Sequence, residues 1–271
     1  MTEFLQAMVL PFLACLVLTG IHAYLGLHVI EREIIFVDLA LAQIASVGAA
    51  VAILFGHDIG TPVSYWLSLG FTLAGAVVFS LTRFRKGRIP QEALIGVTYA
   101  VAASLLLLIL NRSGEGDEHI RYTFVGNILL IRWPAILKMA VIYSAVGVFH
   151  FVYRQKFFLI SRDPEEARRR GISIAWWDFL FYASFGLVVT SSVAVAGVLL
   201  VFAFLVVPAS CAVLLANRMR TRLAVGWAIG VLASVIGMGV SYFGDLPTGS
   251  SVVCVFGLML ALLLAFRGRT Q

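Results

Sequence analysis

Charged residues are scarce in this chain. Only 13% of its 271 residues are Asp, Glu, Lys or Arg, whereas 61% are hydrophobic and the mean hydropathy is +0.98. A soluble domain of this length could not bury so much apolar surface. The composition therefore excludes a soluble globular protein.

The signatures of several enzyme classes are also missing. The chain has no GxxxxGK[ST] phosphate loop, no HExxH, no nucleophile elbow and no dinucleotide fingerprint. Gly249-Ser250-Ser251 has no histidine in the neighbouring apolar segments to activate a serine. The sequence therefore predicts that the chain is not an enzyme.

Cysteine is rare and a secretory leader is lacking. The three cysteines, Cys15, Cys211 and Cys254, lie in apolar segments without CxxC spacing, which predicts small hydrophobic side chains in the core. Residues 1–28 have no basic leading region and no small-residue cleavage site. We therefore interpret them as a retained first membrane span.

Long apolar stretches fill the rest of the chain. A helix needs about 20 residues to cross a hydrocarbon core of ~30 Å. Strand-like alternation is weak, so we predict an all-α, polytopic membrane helical bundle of eight or nine spans, with residues 1–271 as one membrane domain. Nine is preferred, and eight results if the polar run 190–192 does not separate two spans. The predicted spans are 8–28, 34–55, 63–82, 93–110, 135–153, 176–192, 193–216, 223–243 and 250–266.

Basic residues alternate between the connecting segments. Most of the 20 Lys and Arg lie in 83–88, 154–170, 217–222 and 267–269, whereas 56–61, 111–132 and 244–249 have few. The positive-inside rule places the basic segments in the cytoplasm. With nine spans the N-terminus is outside and the C-terminus cytoplasmic. The net charge of +6 is then explained by topology and lipid headgroups, and no nucleic-acid partner is expected.

The residue pattern of the segment 154–175 predicts a short cytoplasmic helix. Asp163 can cap it, Pro164-Glu165-Glu166 suits its first turn, and Gly171 can end it after the three arginines 168–170. The helix is either a solvated connector whose arginines set the topology, or a coupling helix that docks in a groove of a separate ATPase subunit.

At this segment the chain resembles the permease subunits of bacterial ABC importers for zinc, manganese and iron. The family's D-P-E-x-A-x-x-x-G pattern matches Asp163, Pro164, Glu165, Ala167 and Gly171. Further matches follow in the family's order along the chain: Gly20 to Arg32, Ala40 to Gly48, Glu92 to Gly96, Phe124 to Leu129, Gly197 to Ala209 and Tyr242 to Gly249.

The resemblance implies a transport subunit of the bacterial inner membrane. Its implied partners are a cytoplasmic ABC ATPase, an extracytoplasmic metal-binding protein, a second copy of the chain and membrane lipid. ATP hydrolysis would belong to the ATPase, which would be coupled through Asp163, Glu165, Ala167 and Gly171. No tightly bound cofactor is implied, and the divalent metal ion is the transported substrate.

The second span departs from the family pattern. The family commonly has Asp and His four residues apart there, on one helical face, and the corresponding residues here are Leu39 and Gln43. Gln offers only a neutral amide oxygen, which is a poor zinc ligand. Asp38 directly precedes Leu39, and this offset of one residue turns it about 100° around the helix. The pattern supports the transporter fold more firmly than a metal site in the usual place.

Polar residues inside spans are costly and are candidates for function. We predict that Asp38, Gln43 and Glu92 line a translocation pathway, with a salt bridge from Arg32 or Arg88 to either carboxylate as the simpler alternative for Asp38 and Glu92. Weak metal-binding candidates are Asp38, His57, Asp58 and His119. A secondary transporter driven by protons or sodium, with Asp38 or Glu92 as its coupled carboxylate, stays open as an alternative.

Overall fold

The computed structural model describes residues 2–58, 60–83, 89–111 and 126–267. Across these ranges the chain forms ten α-helices and one 3₁₀ turn, and no strand. The helices are α1 (Thr2–Glu31), α2 (Val37–Leu54), α3 (Pro62–Thr82), α4 (Gln91–Leu110), α5 (Trp133–Val152), α6 (Arg154–Arg162), α7 (Pro164–Arg169), α8 (Ile174–Leu215), α9 (Met219–Gly244) and α10 (Thr248–Arg267), with the 3₁₀ turn at Ile128–Leu130.

Eight of the described helices, all except α6 and α7, are long and apolar enough to cross a membrane. Their bounds agree closely with the predicted spans because an unbroken apolar run can satisfy its backbone polar groups in lipid only as a helix. The prediction of an all-α, multi-pass membrane protein is confirmed.

The predicted boundary at residues 190–192 is wrong. These residues are helical and buried within α8, because their hydroxyl groups bond to the helix itself and to a neighbouring helix. Ser192 donates to the carbonyl of Val188 at 2.7 Å, and Thr190 lies 3.0 Å from the hydroxyl of Thr72 on α3.

The interruption in α8 lies instead at Gly197, whose φ of 75° and ψ of 162° are not helical. It divides the helix into 174–196 and 198–215, and each part is close to the ~20 residues that a span requires. The eight helices therefore contain nine apolar segments of spanning length, and the nine-span topology stays a prediction.

The described residues form two compact units, each built from separate stretches of chain. The first unit contains residues 2–30, 126–143 and 195–267. Within it α1 packs closely on the second part of α8, since a Cβ at Gly26 would stand 2.0 Å from the carbonyl oxygen of Leu205. The same unit brings α9 against α10, where a Cβ at Gly237 would stand 2.6 Å from the Cα of Val252.

The second unit contains residues 31–111, within the described ranges, and 144–194. Helix α2 is packed between α3 and α4. A Cβ at Gly48 would stand 2.7 Å from the Cα of Ser68, so α2 and α3 approach at backbone distance, whereas the buried side chains of Val47, Ala102 and Leu106 join α2 to α4. This unit contains every predicted site residue that the structure describes. The single domain 1–271 stays a prediction.

Candidate functional site

The short charged helix α7 begins as the sequence predicts. Asp163 precedes it with a non-helical φ of −141° and accepts a hydrogen bond at Oδ1 from the backbone N–H of Glu166 at 2.9 Å. Pro164 takes the first helical position, where its missing N–H breaks no intrahelical bond. The two glutamates of the first turn are favoured by the helix dipole.

Gly171 ends α7 with a φ of +71°, a conformation that glycine adopts without strain. Its backbone N–H donates to the carbonyl of Arg168 at 3.0 Å, and the N–H of Ile172 donates to that of Ala167 at 3.0 Å. This pair of bonds is a Schellman motif, which satisfies carbonyls at the helix end. The predicted stop is confirmed.

Helix α7 has one buried side and one charged side. Ala167 is fully buried and packs with Ile160 and Ile174. On the exposed side, Glu165 and Arg168 are 59% and 52% exposed, and neighbouring charges pair along the helix. The pKa of Glu166 is lowered mainly by its hydrogen bond from Arg170. The positive charges of Arg170 and Arg169 lower it further by a smaller amount. The segment thus has a stable charged surface on its exposed side.

The sequence analysis missed α6, which precedes α7 and anchors it. Phe157, Ile160 and Ser161 are buried on one side of α6. The ring of Phe157 stacks on His150 of α5 at 4.2 Å and meets Trp177 of α8 edge-on at 5.5 Å. The signal for α6 was the apolar run 157–160 between the polar residues 154–156 and 161–162, in which Phe157 and Ile160 have helical i, i+3 spacing.

A second missed feature is a buried cluster of two arginines around Asp178, which we name the Asp178 clamp. Oδ1 of Asp178 lies 2.7 Å from Nη1 of Arg32 and 2.7 Å from Nη1 of Arg83, and its Oδ2 lies 2.9 Å from the same Arg83 nitrogen. The side chains of Arg32 and Asp178 are 1% and 0% exposed. The guanidinium of Arg32 also covers the ring of Phe181 at 3.9 Å.

Both arginines of the clamp also hold α6. Nε of Arg32 donates to Oγ of Ser161 at 2.8 Å, and Nη2 of Arg83 donates to the carbonyl of Ile160 at 3.0 Å. Among the described residues Arg32 forms its ion pair with Asp178 and not with Asp38 or Glu92, so the alternative of a salt bridge from Arg32 to either carboxylate is wrong. The available signal was an aspartate in the predicted span 176–192, where an ionisable residue is costly.

Asp38 and Gln43 lie on α2 and are buried. Oδ1 of Asp38 accepts the backbone N–H of Leu39 at 2.7 Å. Neither polar atom of the Gln43 amide has a hydrogen-bond partner within the part of the chain that the structure describes. Gln43 follows Asp38 by five positions, so the two side chains point about 140° apart around the helix.

Glu92 lies in the first turn of α4 and ties that helix to the connector before α2. Its Oε1 accepts the backbone N–H of Phe36 at 3.0 Å, whereas its buried Oε2 has no hydrogen-bond partner among the described residues. Since Phe36 is two residues before Asp38, Glu92 lies close to the start of α2. Arg88, the other predicted partner of these carboxylates, is outside the described residues.

The metal-binding candidates that the structure describes are not assembled into one site. His57 and Asp58 are exposed just beyond the last turn of α2, and α2 separates them from Asp38 in its first turn. His119 lies outside the described residues. Within the described ranges, no three His, Cys, Asp or Glu residues are grouped so that they could hold a metal ion.

Comparison with solved structures shows that the fold is a known one. The chain is similar to a chain of PsaBC from Streptococcus pneumoniae in complex with Fab, with a TM-score of 0.80, 19% sequence identity and coverage of 97% of this chain and 95% of that one. At this identity the likeness establishes the fold.

Two relatives with similar sequences are transport-system membrane proteins. The chain is 26% identical over 220 residues to the manganese transport system membrane protein MntC of Listeria monocytogenes, covering 76% of each. It is 23% identical over 213 residues to the chelated iron transport system membrane protein YfeD of Yersinia pestis, covering 76% of this chain and 71% of the relative. The sequence profile of the ABC 3 transport family matches residues 2–267. With its whole helical bundle inside that match, the chain belongs to the ABC 3 transport family.

Proposed function

We propose that this chain is the membrane-spanning permease subunit of an ABC importer for divalent metal ions. The observation that carries the proposal is α7, a capped and charged helix held by α6 against a bundle that belongs to the ABC 3 transport family. The chain itself has no phosphate loop, so ATP hydrolysis belongs to a separate cytoplasmic ATPase that docks on α7.

Manganese and iron are the substrates that the relatives' names support, and zinc belongs to the same expectation from sequence. Asp38, Gln43 and Glu92 are proposed to line the pathway. A path with few charged ligands suits transport, because an ion that is held tightly leaves slowly. Leu39 in place of a carboxylate makes this path less negative than the family pattern implies.

The remaining partners follow from the transport role. An extracytoplasmic metal-binding protein delivers the ion, two copies of the chain enclose the path, and lipid surrounds the apolar helices. The basic segments face the cytoplasm of a bacterial inner membrane, with the N-terminus outside and the C-terminus inside. No cofactor is expected to be bound tightly, and the divalent metal ion is the transported substrate.

The first test is docking of the ATPase on α7. The chain is purified together with its cytoplasmic ABC ATPase, and the variant Glu165→Arg is compared with Glu33→Arg. The second variant is the control, because it reverses the charge of another exposed glutamate of the second unit. Because Glu165 lies on the exposed side of α7, its reversal should abolish co-purification and ATPase stimulation, and Glu33→Arg should preserve both. Equal effects of the two variants would contradict docking on α7.

The competing function is a secondary transporter with Asp38 as its coupled carboxylate. Its supporting observation is that Asp38 is buried in a predicted span. Transport by the chain alone, driven by a proton or sodium gradient and lost in Asp38→Asn, would favour it.

A further inference from the structure

We propose that the Asp178 clamp transmits movement of α6 and α7 to the membrane helices, with Asp178 as its positioning residue. The proposal rests on the coupling role of α7 given above. It concerns residues that the coupling motif does not include, namely Arg32, Arg83, Ser161 and Asp178.

The first argument is connectivity. Arg32 lies in the connector before α2, Arg83 directly follows α3, and Asp178 lies near the start of α8. Both arginines bond to Asp178 at 2.7 Å, and both bond to α6 through Ser161 or the carbonyl of Ile160. One rigid cluster therefore joins α6 to the ends of three membrane helices.

The second argument is electrostatic. Two guanidinium groups share one carboxylate in a buried site, and Nη2 of Arg32 has no hydrogen-bond partner among the described residues. If α6 moves without the arginines, buried donors lose their acceptors, which is strongly unfavourable. Short charged hydrogen bonds are stronger and more directional than the apolar contacts of Phe157, so they resist displacement more. Displacement of α6 is thus converted into displacement of the arginines and their helices.

The third argument is the route toward the predicted pathway. Arg32 is six residues before Asp38, and the connector between them contains Ile34, which is fully buried, and Phe36, which bonds to Glu92. A shift of Arg32 therefore reaches the first turns of both α2 and α4. These are the two helices that carry Asp38, Gln43 and Glu92.

The experiment measures metal ions transported per ATP hydrolysed in proteoliposomes that contain the chain, its ATPase and its binding protein. The variants are Asp178→Asn and Ser161→Ala, and Glu33→Gln is the control because it removes an exposed charge next to Arg32. Ser161→Ala leaves the buried ion pairs intact and removes the bond from α6 to Arg32, so it keeps the test valid if Asp178→Asn does not fold.

The clamp predicts that ATPase co-purification persists and that transport per ATP falls at least tenfold in Asp178→Asn and severalfold in Ser161→Ala. A structural defect alone would lower transport and hydrolysis together and leave their ratio unchanged. An unchanged ratio in folded Ser161→Ala, or a ratio lowered equally by Glu33→Gln, overturns the clamp while the proposed function stands. Absence of metal transport by the native complex overturns the proposed function and the clamp with it.

Discussion

Replacing Gly171 by Val should loosen the end of α7 through the backbone alone. Gly171 has a φ of +71°, and a Cβ built there meets no heavy atom within 4 Å. The left-handed conformation costs an L-residue roughly 1–2 kcal/mol. Because no neighbour is displaced, the whole cost falls on the backbone of the Schellman motif.

That cost corresponds to a rise of about 5–30-fold in the population whose helix end is open. The assay is amide hydrogen exchange of the chain in lipid nanodiscs, read at the N–H of Ile172 and of residue 171. These two groups donate to the carbonyls of Ala167 and Arg168, so their exchange reports opening of the motif. Gly171→Val should accelerate both by that factor.

Gly171→Asn is the matched control, because Asn tolerates positive φ far better than a β-branched residue. Its exchange should stay close to that of the native chain. If Val and Asn behave alike, or if Val leaves exchange unchanged, positive φ at Gly171 does not determine where α7 ends.

Three further predictions concern single side chains. Asp163→Ala removes the bond to the Glu166 amide and should lower the stability of α7 by about 1 kcal/mol, seen as faster exchange of that amide, whereas Asp163→Asn should retain the cap. Gln43→Leu removes two buried polar atoms that have no hydrogen-bond partner among the described residues, so it should raise the free energy of unfolding by about 1–3 kcal/mol while lowering transport. The measurement is the melting temperature in detergent, which should rise. A lower melting temperature would contradict the unbonded amide. The hydrogen bond from Arg170 lowers the pKa of Glu166 in the folded chain, so its stabilisation is present above the unfolded pKa and is lost as pH falls through the folded one. The protection factors of the α7 amides, which are corrected for the slower intrinsic exchange in acid, should therefore decrease as pH falls, and Glu166→Gln should remove that dependence.

The features that sequence predicted well are local ones. Hydropathy places the membrane helices, because a span depends only on its own residues. Asp163, Pro164 and Gly171 bound α7 correctly, since caps act within one turn of the chain.

The features that sequence missed depend on distant contacts. Arg32 and Asp178 are 146 residues apart, and Arg83 and Asp178 are 95 apart, so no local pattern pairs them. The sequence analysis places the boundary between two spans at the polar run 190–192, which interrupts the apolar sequence there. In the structure Ser192 bonds within its own helix, and the break occurs at Gly197, where φ is positive.

The candidate pathway was predicted only in part. The burial of Asp38 and Gln43 follows from their position in an apolar helix. Which atoms remain unbonded at Gln43 and Glu92 depends on the helices packed around them, which sequence spacing does not describe. The roles of these residues in ion passage stay predictions.

The most direct test of the account is metal uptake into proteoliposomes with the chain, the ATPase and the binding protein, for manganese, iron and zinc in turn. The account predicts accumulation of one of these ions that requires both ATP and the ATPase and is lost in Glu165→Arg. Accumulation that persists without the ATPase and follows a proton or sodium gradient would contradict it.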